Sequence, residues 1–237
     1  MLSSTTATSS VPPRLESGDH LTADEFLRLY GAIPGLEKAE LIDGVVYLPS
    51  PTRWTLHAVQ DNAFGAFLGV YWSRTPGVQS GHSGTLRLDD ANVPQPDHSL
   101  IILPSHGGRA EIGGDGYISG APELACEISA STRSIDLNAK FRLYLRSGIR
   151  EYVVWRVEDD AIDWFVERQG RYERLPADDA GILRSEVFPG LWLDTRAMLR
   201  LDLGQVLRVL EQGLATPGHA EFVDRLARQA GRATQPG

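Results

Sequence analysis

The run Glu123-Leu124-Ala125-Cys126-Glu127-Ile128-Ser129 constrains the fold of this chain more than any other stretch. Side chains alternate across a strand, so Leu124, Cys126 and Ile128 point to one face and Ala125, Glu127 and Ser129 to the other. One face is apolar, and the other sets a carboxylate among small residues. An acid in the middle of a strand otherwise suited to burial is costly unless it is paired, protonated or bound to a cation. The run therefore predicts a core strand with a chemical task at Glu127.

The pattern around it predicts an α/β domain, a mixed β-sheet flanked by helices. Thr22 caps a helix over residues 23–30, with Glu25 at the capping-box position and Gly31 as its stop. Asp43-Gly44 joins two apolar runs between residues 39 and 48 into a hairpin of the type I′ kind. Leu56, Val59, Phe64, Phe67, Leu68 and Tyr71 make one face of a helix over residues 54–72. Strands are expected over residues 84–88, 97–103 and 123–129, the last two joined by a Gly-rich connection that is mobile or functional. A helix over residues 134–147 stops at Gly148. Residues 151–157 then form a buried strand, and residues 161–167 pair with 172–175 as a second hairpin. Residues 194–214 and 219–230 read as surface helices broken at Thr216-Pro217-Gly218. The expected organisation is a disordered leader (1–18), the α/β domain (19–198), and C-terminal helices and tail (199–237).

At 237 residues and 42% hydrophobic content the chain can bury one substantial core. No run approaches the ~18 apolar residues that cross a bilayer, so no membrane association is expected. The first 13 residues lack the basic and apolar regions of a secretory signal. The single cysteine, Cys126, excludes an intramolecular disulfide and fits a reducing compartment, the cytoplasm. A net charge of −8 argues against coating nucleic acid by charge alone, so any such contact must be local. The Gly-rich connection lacks the Gly-Lys-Ser/Thr of a phosphate loop, and His82, His98 and His106 lack zinc-site spacing. The five tryptophans are dispersed, which suits a core better than a base-stacking platform.

Asp97, after Pro96 at the start of the preceding strand, brings a second carboxylate near Glu127 if the two strands are neighbours. Two close carboxylates repel, and a hard divalent cation such as Mg²⁺ relieves the repulsion. Lys140 lies one helical turn after Asp136, where it either pairs with Asp136 or reaches back over the strand ends. Reaching the carboxylates would complete what phosphodiester hydrolysis requires: a metal, an activated water and a cation against the developing charge.

These motifs, together with Glu40-Leu41-Ile42-Asp43-Gly44, His57, the run from Glu127 to Arg133, Tyr144, and Gly148-Ile149-Arg150-Glu151-Tyr152, resemble the Uma-two family of the PD-(D/E)XK nuclease superfamily. The resemblance covers roughly residues 21–195. It implies a restriction-endonuclease-like fold and an endonuclease that hydrolyses DNA with Mg²⁺ or Mn²⁺. It also implies Asp97 and Glu127 as metal-binding carboxylates, Lys140 as the catalytic lysine and Glu40 as a further acid at the site. Ser129 stands where the superfamily pattern expects lysine, and Lys140 on the next helix takes that place. Glu40 otherwise reads as exposed or paired with Lys38. His57 reads as a packed or capping histidine, or as a substrate contact. A homodimer would suit cleavage of two strands. Two rival readings are a catalytically silent nucleic-acid- or protein-binding member of the fold, and a homo-oligomeric scaffold whose acids form a solvated face.

Overall fold

The structure, a computed structural model, describes residues 14–49, 53–130 and 132–233, so most of the expected leader lies outside the described residues. The end of the span expected to be a disordered leader is instead held to the fold: Leu15 is buried, and Gly18 N donates to Val46 O. Helix α1, Ala23–Ala32, starts with the full Thr22/Glu25 capping box and runs one residue past Gly31. Strands β1 (Glu40–Ile42) and β2 (Val45–Tyr47) form the hairpin, with positive φ at both Asp43 and Gly44 as a type I′ turn requires. A π-helical turn, Trp54–Ala58, leads into α2, Val59–Arg74.

The central sheet contains β3 (Val78–His82), β5 (His98–Ile102), β8 (Leu124–Ser129), β9 (Glu151–Arg156), β10 (Ala161–Arg168) and β11 (Arg171–Arg174), in spatial order β11-β10-β9-β8-β5-β3. Only β8 and β9 run parallel within it, joined by a crossover through a π-helical turn, Ile135–Lys140, and α3, Phe141–Ser147. Gly148, at φ 84°, ends α3 in the left-handed conformation.

The strand expected over residues 84–88 does not join this sheet. It shortens to β4, Leu86–Arg87, and pairs with β7 (Ile118–Ser119), which also pairs with β6 (Glu111–Ile112). The Gly-rich connection is therefore partly a small sheet. The edge place in the central sheet goes to β3, whose sequence Val-Gln-Ser-Gly-His has one apolar residue and too little alternation to read as a strand.

All six residues of β8 are buried because both its faces are covered. Leu124, Cys126 and Ile128 pack with Phe64, Phe67, Leu68 and Tyr71 of α2. Each such aromatic or leucine contributes about 1.5–3 kcal/mol over its exposed state. The same core receives the hairpin β12–β13 (Ile182–Arg184 and Trp192–Asp194), then α4 (Thr195–Leu199), α5 (Leu203–Leu214) and α6 (Pro217–Ala233). The helices expected on the surface thus bury Val206, Leu210, Phe222 and Leu226 against the sheet. On the other face, Ala125 packs with Leu143, Tyr144, Tyr152 and Val154 under α3. Among the described residues no helix is long and apolar enough to cross a membrane.

Candidate active site

The face of β8 that carries Glu127 is roofed by the π-helical turn and α3, which drop a cation onto the carboxylate. Lys140 Nζ lies 2.9 Å from Glu127 Oε1, 2.9 Å from Glu40 Oε1 and 3.8 Å from Asp136 Oδ1. Both earlier readings of Lys140 are thus met at once: it faces Asp136 and reaches the strand. Tyr144, one turn further along, donates its hydroxyl to Glu127 Oε1 at 2.7 Å. Glu40, the first residue of β1, accepts Gln95 N–H at 2.7 Å on the oxygen that faces Lys140. Glu40 is therefore neither exposed nor paired with Lys38.

Asp97 completes the acidic group from the next strand. Its Oδ2 accepts the N–H of Ile128, the residue after Glu127, at 2.8 Å, which ties it to β8. Lys38 Nζ lies 2.7 Å from Asp97 Oδ1, and His57 Nε2 lies 3.4 Å from Asp97 Oδ2. His57 comes from the π-helical turn before α2, so both π-helical turns carry site residues, a placement such turns favour. The Nδ1 of His57 is buried and meets no hydrogen-bond partner among the described residues.

The electrostatics follow from this crowding. Four buried carboxylates, Glu40, Asp97, Glu127 and Asp136, share Lys38, Lys140 and His57. Burial pushes Glu127 up to about 8, against the pull of Lys140. Burial also raises Asp136, despite Lys140 and the Thr132 hydroxyl. For Lys140, burial favours the neutral amine, but Glu127, Glu40 and Asp136 outweigh it and hold the ammonium well above its ordinary value. Asp97 is the contrasting case: burial opposes its charge, yet His57 and Lys38 together hold it well below the usual carboxylate range. The hydrogen bond that His57 donates to Asp97 raises the histidine's own value.

Positive charge is therefore short around Glu127 and Asp136, and Asp136 Oδ1 is buried with no hydrogen bond among the described residues. Carboxylate oxygens short of positive charge are the donors that a hard divalent cation selects, and Glu127 and Asp136 supply them.

Lys38 and Tyr144 were missed as site residues. Lys38 sits in a loop with no periodic pattern and reaches Asp97 across 59 positions of sequence. Tyr144 could have been found, because it lies one helical turn after Lys140 and shares its face. Ser129, where a lysine is expected in the wider superfamily, is buried beneath the same helix.

A solved structure, that of a putative nuclease belonging to DUF820 from Anabaena variabilis, resembles this chain with a TM-score of 0.57 at 16% identity. The match covers 76% of this chain and 98% of that one, and it shows a shared fold. No curated protein matches the chain. Residues 23–196, well over half of the sequence, match the family Uma2, described as "Putative restriction endonuclease". This match, over a fold in which the helix after β8 returns Lys140 to Glu127, places the chain in the Uma2 family.

Proposed function

We propose that this chain is a Mg²⁺- or Mn²⁺-dependent endonuclease that hydrolyses DNA phosphodiester bonds. The observation that carries this reading is the gathering of four buried carboxylates around too little positive charge, with a lysine held among them. Asp97 and Glu127 would hold the ion. When bound, the ion would polarise a phosphoryl oxygen and lower the pKa of a water.

The protein's own groups supply the rest. Lys140, kept charged by its carboxylate neighbours, sets a cation against the negative charge that develops as the phosphodiester is attacked. Glu40, fixed by the Gln95 N–H, and Glu127, fixed by the Tyr144 hydroxyl, hold that ammonium in place. Lys38 and His57 are the more open members of the group, each about a quarter exposed at the side chain, and would meet the substrate phosphates. Such a local cationic rim suits a chain of net charge −8. Cleavage of both strands would call for a homodimer, and the lone buried cysteine suits the cytoplasm.

The test is cleavage of supercoiled plasmid and single-stranded DNA by the purified chain in Mg²⁺, Mn²⁺ or EDTA, beside Asp97→Asn and Lys140→Met. Circular dichroism would confirm that each variant is folded. Metal-dependent cleavage that falls by roughly 100-fold or more in both variants is expected. Absence of cleavage with either ion would leave the chain a silent binding member of the family, and equal cleavage by the variants would remove Asp97 and Lys140 from the mechanism.

A further inference from the structure

Asp97 and His98 are successive residues, so their side chains leave the sheet on opposite faces. Asp97 joins the acidic group. His98 turns instead toward α2, packs 5.8 Å from the Phe64 ring, and meets two further ligand-type side chains. His82 is its register partner across the β3–β5 ladder, with ring centroids 5.2 Å apart. Asp61, in the first turn of α2, lies between them: Oδ2 is 2.9 Å from His82 Nε2 and Oδ1 is 2.9 Å from His98 Nε2. The three donor atoms all lie within 4.8 Å of one another.

Two further features belong to a built site. A Cβ at Gly65 would come within 2.9 Å of His98 Cε1, so the absence of a side chain there makes room for the ring. Asp61 Oδ1 is buried without a hydrogen-bond partner among the described residues, and His98 Nε2 lies 2.9 Å from it and 3.0 Å from the Asp61 main-chain carbonyl oxygen. A charged carboxylate oxygen thus faces a ring nitrogen that does not satisfy it. The group opens onto a cleft of about 450 Å³, lined also by Gly69, Ser80 and the half-exposed Trp72.

We propose that Asp61, His82 and His98 bind one zinc-class divalent ion, which ties the start of α2 to the strand that follows Asp97. Two imidazoles and one carboxylate are a donor set that zinc accepts at ~2.0–2.2 Å, with a fourth position left for water. Donor atoms around such a tetrahedral ion stand about 3.3 Å apart, within the range of separations here. Imidazole selects this class of ion, whereas the all-carboxylate group on the other face selects Mg²⁺ or Mn²⁺. The site was invisible to sequence spacing because its histidines converge across an antiparallel ladder. His106 stays outside it, beside Ser105 Oγ at 2.9 Å.

The test is titration of the EDTA-treated full chain, in excess Mg²⁺ to fill the acidic group, with Co²⁺, a spectroscopic stand-in for Zn²⁺, followed by displacement with Zn²⁺. One saturable equivalent with visible d–d absorption is expected. His82→Ala, at a side chain 59% exposed, should keep the fold and weaken binding at least about tenfold, as should Asp61→Asn. Glu127→Gln should leave it unchanged. No saturable equivalent, equal affinity in His82→Ala, or loss in Glu127→Gln would overturn the assignment, the last by placing the ion in the acidic group.

Discussion

Replacing Lys140 by methionine removes one positive charge and keeps most of the side-chain volume, so it isolates the electrostatics of the acidic group. Lys140 is 3% exposed, and its ammonium is the shared partner of Glu40, Glu127 and Asp136. Removing one partner from a buried ion pair leaves an uncompensated charge and costs about 3–5 kcal/mol. Here the loss should depend on pH. Glu127 and Asp136 already have folded-state values above their ordinary ones, chiefly through burial. Groups raised in this way contribute stability below their unfolded values, and that stability is lost as pH rises through the folded ones. Lys140 opposes the rise in both, so deleting it lifts them further and lets the folded variant retain an additional proton toward neutrality. The deficit against wild type should then widen as pH rises, by at most about 1.4 kcal/mol per pH unit. Urea unfolding of both proteins in EDTA at pH 5.5 and 7.5 measures it. A deficit below about 1 kcal/mol at pH 7.5, or one that widens as pH falls, would refute the buried-charge argument.

Two further substitutions probe the supports of the site and the extent of the core. Tyr144→Phe keeps the ring at 5.0 Å from Tyr152 but loses the 2.7 Å hydrogen bond to Glu127. It should cost about 1.5–3 kcal/mol by urea unfolding, and a cost near zero would mean that Glu127 does not depend on the hydroxyl. Phe222→Ala removes a buried ring of α6 that packs edge-on against Phe188 at 6.3 Å. A loss of about 3–5 kcal/mol in global stability is expected, and an unchanged thermal transition would detach α6 from the core.

The features that were legible in the sequence are short-range ones. The Thr22/Glu25 capping box, the Asp43-Gly44 turn, the stop at Gly148 and the two-sided character of β8 each arise from residues a few positions apart. Local backbone geometry decides them. The edge strand β3 and the burial of α5 and α6 were not legible. A strand with one apolar residue carries no period, and an amphipathic helix declares a buried face without naming what covers it.

The same division runs through the site. The sequence by itself marked Glu127 as an acid that needs a partner and offered Asp97 and Lys140 beside it, and the resemblance of its motifs added Glu40 and the role of each. Only the tertiary structure decided that Lys38 pairs with Asp97 and not Glu40, that Tyr144 holds Glu127, and that His82 and His98 share Asp61. Pairing of charges depends on strand order and register, and these are set by the packing of the whole sheet between its helices.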